Sequence, residues 1–116
     1  MNPPEINSYQ FGEMVVDGQI HRKDLVILPD GVRPNWWRQQ GHRLDVQDLA
    51  AVLAARPEVL IVGTGTPGMM RVPEETRKAV ADARIGLQVA PSPEACRLYN
   101  ASRSERRTAA AFHLTC

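Results

Sequence analysis

The sequence predicts an α/β fold: a single three-layer domain with a central mixed β-sheet, an N-terminal β-hairpin region and three helices. Three observations carry that expectation. Val59-Leu60-Ile61-Val62 is an unbroken apolar run, rich in β-branched residues, of the kind that forms a strand covered on both faces. This and other short apolar runs alternate with segments whose apolar residues recur at helical spacing, which implies a sheet clothed by helices. Near the start, Glu13–Val16 and Gln19–His21 flank Asp17-Gly18, the two-residue signature of a type I′ hairpin. With 116 residues the chain suits one domain spanning positions 1–116. Area scaling gives a folded surface of about 6,300 Å² and buries about two-thirds of the extended chain, enough for a core without disulfides or metals.

The elements follow in order. After the hairpin, Leu25-Val26-Ile27-Leu28 reads as a short strand ended by the turn residues Pro29-Asp30-Gly31. Residues 32–44 hold Pro34, two tryptophans and Gly41 without periodicity and read as an ordered loop. Asp45 caps a helix from Val46 to about Ala55, with Val46, Leu49, Ala50 and Leu53 on its inner face. Arg56-Pro57 stops it. The strand Val59–Val62 leads into the loop Gly63-Thr64-Gly65-Thr66-Pro67-Gly68.

Pro73 suits the first position of a second helix, with Glu74 and Glu75 at its positive end, and with Thr76, Ala79, Val80 and Ala83 facing inward. Gly86 is the expected stop. Leu87–Ala90 forms a further strand. Ser92-Pro93-Glu94 opens a third helix to about Ser102. A last strand runs from Thr108 to the end, alternating Ala110, Phe112, Leu114 and Cys116 against Ala109, Ala111, His113 and Thr115.

Composition excludes several function classes. The formal net charge is +1, so no global field draws the chain to nucleic acid or to an anionic membrane. No apolar run approaches the ~20 residues of a membrane span. Met1-Asn2-Pro3-Pro4-Glu5 lacks a basic region followed by an apolar stretch, which argues against a secretory signal and makes the cytoplasm the expected compartment. Cys96 and Cys116 do not make a disulfide framework.

The glycine loop matches Gly-x-Gly-x-x-Gly after a strand, the fingerprint of dinucleotide binding. The surrounding residues reject that reading. Pro73 lies five residues past Gly68, where a fingerprint helix would already need its backbone donors, and Leu87–Pro91 supplies no carboxylate for a ribose. As a phosphate loop it fails as well, because Met69-Met70 stands where Lys-Ser or Lys-Thr is required. What remains is a tight exit from a buried strand whose amides offer a seat for a small anion, with charge supplied by Arg38, His42 or Arg71.

No other catalytic constellation is complete. If residues 108–116 are one strand, His113 and Cys116 point to opposite faces and cannot act as a pair. The three histidines, His21, His42 and His113, are scattered and no Cys-x-x-Cys occurs, so neither a metal nor another cofactor is expected. The basic run Arg97, Arg103, Arg106 and Arg107 is interrupted by Glu105 and reads as a solvated helix end. Trp36-Trp37-Arg38 followed by Gly41-His42 is the most unusual segment. Large aromatics with an arginine and a histidine on a loop suit a partner anchor or a pocket wall. The candidate contact residues are therefore Trp36, Trp37, Arg38, His42, Gly63, Thr64, Gly65, Arg71 and His113.

Nine segments together carry a resemblance to a known family. They are Ser8–Gly12, Val15–Gly18, Leu28–Val32, Trp36–Arg38, Gly41-His42, Pro57–Gly65, Val72–Glu74, Tyr99-Asn100 and His113–Cys116. In order and spacing the chain resembles a small α/β domain family of undefined biochemistry, over essentially its whole length. That family includes an adipogenesis-associated cytosolic protein and a mitochondrial assembly factor for respiratory complex I. The resemblance implies a three-layer fold around a mixed sheet and no established catalytic residue or cofactor. It also implies a non-enzymatic interaction or assembly role through a protein partner of unknown identity. Self-association stays open, and a small-molecule domain or enzyme using the Gly63–Gly68 loop is the rival reading.

Overall fold

The computed structural model describes residues 3–116. The expectation about a leader rests partly on Met1 and Asn2, which lie outside the described residues.

The chain opens with a three-stranded antiparallel sheet of β1 (Ile6–Gln10), β2 (Glu13–Val16) and β3 (Gln19–His21). The β2–β3 turn is Asp17-Gly18, and both residues have positive φ, at 47° and 82°. That is what a type I′ turn requires. The second sheet holds β4 (Leu25–Leu28), β5 (Gly31–Arg33), β6 (Val59–Gly63), β7 (Gly86–Ala90) and β8 (Thr108–Phe112), in the order β5-β4-β8-β6-β7. β6 pairs in parallel with both β7 and β8, whereas β4 pairs antiparallel with β5 and β8. The sheet is therefore mixed, and the α/β class with an N-terminal hairpin region and three helices is the fold observed.

Register divides the side chains of the central strands between two cores. Leu25 and Ile27, Val59 and Ile61, and Ala110 and Phe112 face one side, where they pack with Ala95 and Tyr99 and with Ile6, Met14 and Val16 of the small sheet. Val26 and Leu28, Leu60 and Val62, and Ala109 and Ala111 face the other side, with Leu49, Val52 and Val80. The first side is covered by α3 (Ser92–Ser102) and the small sheet. The second is covered by α1 (Ala50–Ala55) and α2 (Glu74–Asp82). All residues of β6 and β8 are buried, which explains why neither run carries a polar alternation. The accessible surface is 6248 Å², in line with the area expected for this length.

Several local expectations need correction. β1 and β5 escaped notice because Ile6–Gln10 and Gly31–Arg33 are polar or short. The first helical segment opens as a 3₁₀ turn over Val46–Leu49 before α1 begins, and the tighter winding changes the inner face. Val52 is buried there, while Ala50 is exposed. Pro73 is the residue before α2 and not its first helical position. That helix ends through Arg84 in the left-handed region, so Ala83 is exposed and Gly86 already belongs to β7. Finally, β8 ends at Phe112, and residues 113–116 leave the sheet.

Candidate functional site

The carboxyl ends of β6 and β8 and the start of β4 meet at one edge of the large sheet, since Gly63 and Leu25 both lie beside Phe112 in register. Three segments converge there: the glycine loop after β6, the loop carrying Trp36–His42, and residues 113–116. The last of these is the hub. His113 N–H donates to Gly63 O at 2.9 Å, Thr66 N–H to Thr115 O at 2.9 Å, Met69 N–H to Cys116 O at 2.8 Å and Gly12 N–H to Leu114 O at 2.8 Å. Tyr9 adds its hydroxyl, which donates to Leu114 O at 2.9 Å.

Asp24, one residue before β4, ties this hub to the tryptophan loop. Its Oδ1 accepts the Leu114 N–H at 2.8 Å. Its Oδ2 lies 2.8 Å from His113 Nδ1 and 2.9 Å from Arg38 Nη1. Burial by itself would raise the Asp24 carboxyl, but the hydrogen bonds from His113 and Leu114 and the nearby positive charge outweigh it and hold the group below its ordinary value. The carboxylate is thus ionised and acts as acceptor, which assigns the His113 proton to Nδ1. Arg38 Nη2, 3.2 Å from that nitrogen, points its own proton to Gly41 O at 2.5 Å.

The guanidinium of Arg38 also lies 4.7 Å from the centre of the Trp36 ring, and Trp36 Nε1 donates to Asp48 O at 3.0 Å. Arg38 is 7% exposed and Trp36 half-buried. Trp37 is different. Its 74% exposure leaves a large aromatic in solvent on a loop whose next residue is locked by an ion pair and whose previous one is stacked. Phe11 and Met69, exposed by 61% and 53%, flank Gly12 and Met70, whose segments are bonded to the same hub.

The expected separation of His113 from Cys116 does not hold, because the strand stops before them. The His42 ring meets the His113 ring edge-on at 5.6 Å between centroids, and Cys116 Sγ lies 3.8 Å from His42 Nε2. His113 Nε2 is buried without a hydrogen-bond partner, and among the described residues no group of three or more His, Cys, Asp or Glu could hold a metal. Arg71 contributes backbone only: its N–H donates to His42 O at 2.8 Å, its carbonyl accepts from Leu44, and its side chain is exposed.

The glycine loop is a structural joint. A Cβ on Gly63 would stand 2.5 Å from Phe112 Cδ1 and 2.8 Å from Ser92 Oγ, and one on Gly65, at φ 100°, would stand 2.2 Å from Thr115 O. Only glycine permits these approaches. Four amides of the loop and its exit are already engaged. Thr64 N–H donates to Ala90 O, Gly65 N–H to Ser92 Oγ, Thr66 N–H to Thr115 O and Met70 N–H to Thr64 O. Ser92 Oγ in turn donates to His113 O at 2.6 Å.

Sequence reading missed Asp24, Tyr9 and Ser92 as members of this cluster. Nothing near Arg22-Lys23-Asp24 distinguishes the aspartate from a surface charge. Ser92 reads in the sequence only as the opening of the third helix, whereas its side chain serves the loop.

Residues 6–114 match a family model described as a protein of unknown function (DUF498/DUF598). The chain belongs to this family. The chain is also similar to several solved structures. A conserved hypothetical protein, PH1505 from Pyrococcus horikoshii OT3, is 30% identical, with 97% of this chain and 99% of that one covered and a TM-score of 0.83. An outer membrane protein from Bartonella henselae is 27% identical over 97% and 96% of the two chains, with a TM-score of 0.84. XCC1710 from Xanthomonas campestris is 26% identical over 96% and 84%, with a TM-score of 0.80. In this DUF498/DUF598 chain no helix among the described residues is long and apolar enough to cross a membrane.

Proposed function

We propose that residues 1–116 act as one interaction or assembly-type domain that engages a protein partner through Trp37, with Phe11 and Met69 completing the contact surface. The observation that carries this reading is the 74% exposure of Trp37 beside an almost fully buried Arg38. An aromatic anchor on a pre-organised support loses little entropy on binding, and tryptophan and arginine dominate interface energetics. The support itself, Asp24–His113–Arg38, is a largely buried ion-pair cluster that holds the loop in place, which favours a contact surface over a reaction centre. Resemblance to a family that includes a cytosolic protein and an assembly factor of respiratory complex I points to the same class of role, here in a cytoplasmic setting.

The rival, a small anion on the Gly63–Gly68 loop, finds the amides of Thr64, Gly65 and Thr66 already serving the fold. Affinity capture with the parent protein, Trp37→Ala and Lys78→Ala tests the interaction reading. A discrete partner should co-purify with the parent and with Lys78→Ala, and its recovery should fall by at least about tenfold with Trp37→Ala, as for an anchor worth at least ~1.4 kcal/mol. Equal recovery with all three proteins would refute the assignment of that surface.

A further inference from the structure

The opposite edge of the large sheet, where β6 and β8 begin, carries two adjoining open clefts. One, of about 310 Å³, has Pro29, Glu58, Arg103, Glu105, Arg106 and Arg107 among its lining residues. The other, of about 370 Å³, is lined by Leu28, Pro29, Ala51, Ala54 and Ala55, again with Arg107, and by the Asp30–Arg33 pair at 3.6 Å. Pro29 and Arg107 are common to both, so the two clefts form a polar and an apolar lobe around a shared wall.

The polar lobe has an excess of donors. Among the described residues none of Arg103, Arg106 and Arg107 forms an ion pair with a carboxylate. Two of them are nonetheless held in place by backbone carbonyls. Arg103 Nε donates to Pro3 O at 2.9 Å and Pro4 O at 3.2 Å, and Arg107 Nη2 donates to Ala55 O at 2.8 Å. The carbonyls fix the guanidinium planes and leave further N–H groups of each fork unused. Of the two carboxylates in the lobe, Glu58 is turned to the Arg107 backbone N–H at 3.2 Å. Three guanidinium groups therefore face two carboxylates, one of them occupied. Such forks match a planar or tetrahedral oxyanion. The neighbouring alanine methyls of α1 offer a shallow apolar track starting at Arg107.

We infer that this edge binds a small amphipathic anion, with an oxyanion head among Arg103, Arg106 and Arg107 and an alkyl tail along Ala51, Ala54 and Ala55. The site lies at the other end of the strands from Trp37 and stands independently of the interaction surface.

Calorimetric titration with hexyl phosphate, inorganic phosphate and hexylammonium tests it. Hexyl phosphate should bind saturably and at least about tenfold tighter than inorganic phosphate, since its alkyl chain removes apolar surface from water that inorganic phosphate lacks. Hexylammonium should not bind. Arg106→Gln, an exposed position that bears on no core contact, should weaken hexyl phosphate by about tenfold through loss of a charge-assisted hydrogen bond. Ala51→Glu should abolish the advantage of the alkyl chain and leave phosphate binding weakened at most modestly. Arg103→Gln should act like Arg106→Gln, and circular dichroism would report whether its contacts to Pro3 and Pro4 are needed for folding. Absence of saturable heat with hexyl phosphate, equal affinity for hexylammonium, or binding unchanged in Arg106→Gln would each overturn the inference.

Discussion

Replacing Asp24 with asparagine keeps the shape of the side chain and removes its charge, and the consequences can be worked from its three partners. The amide oxygen can still accept the Leu114 N–H, now 2.8 Å from Oδ1. The amide nitrogen then faces Arg38 Nη1 and His113 Nδ1, which lie 2.9 and 2.8 Å from Oδ2. His113 can shift its proton to Nε2 and accept at Nδ1. Arg38 has no such freedom, and with a side chain only 4% exposed it becomes an uncompensated buried cation. Breaking a buried ion pair in this way costs about 3–5 kcal/mol. With a urea m value of about 2 kcal/mol/M for a chain of this size, the unfolding midpoint should fall by about 2 M.

The pH dependence gives a second reading of the same variant. In the folded protein the Asp24 carboxyl is held below its ordinary value of 3.8, so its contribution is fully present above that value and is lost as pH falls through the folded value. The stability gap between parent and Asp24→Asn should therefore be widest near neutrality and narrow below about pH 4. Urea unfolding followed by tryptophan fluorescence at pH 7 and pH 3.5 measures both quantities. A midpoint shift under about 0.5 M at pH 7 would mean that Asp24 and Arg38 are not a desolvated pair.

Other substitutions separate joint from surface. Gly65→Ala meets both a φ of 100° and a Cβ position 2.2 Å from Thr115 O, so it should cost more than about 3 kcal/mol and expose residues 113–116 to protease, read by thermal denaturation and limited proteolysis. Trp36→Ala should lose about 2–4 kcal/mol with the Asp48 hydrogen bond and the Arg38 stacking, whereas Trp37→Ala should stay within about 0.5 kcal/mol of the parent in the same unfolding assay. Burial pushes the Cys96 thiol up to about 12, while Cys116 is exposed. At pH 8 a thiol-specific chromogenic reagent should therefore modify Cys116 alone until denaturant is added.

The central strands were readable because burial on both faces leaves an unmistakable apolar run, as in Val59–Val62. The Asp17-Gly18 turn was readable because few residues accept positive φ. β1 and β5 left no comparable trace, since their partners and not their composition define them. The winding of the 46–55 segment depends on a 3₁₀ start that periodicity does not encode. At the candidate site, Trp36, Arg38, His42 and the glycines were singled out by residue type. Asp24 lies 14 positions before Arg38 and 89 before His113, and such a pairing is set by sheet order, which no local pattern records. The same limit explains the reversal at the glycine loop. The short motif suggests free amides, and those of Thr64, Gly65 and Thr66 find acceptors in Ala90, Ser92 and Thr115.

The strand order has a kinetic consequence. β8 sits between β4 and β6 although every other strand precedes it in sequence. Until it arrives, β4–β5 is an isolated antiparallel ribbon and β6–β7 an isolated parallel one, each with an open edge and neither able to bury its faces. A ribosome releasing this chain from the amino end would present both ribbons unjoined between the emergence of β7, which ends at Ala90, and that of β8, which starts at Thr108. Closure of the sheet would come as a single late event, dominated by contacts between residues far apart in sequence. Aggregation of nascent chains would then depend on how quickly residues 108–112 follow the rest out of the exit tunnel.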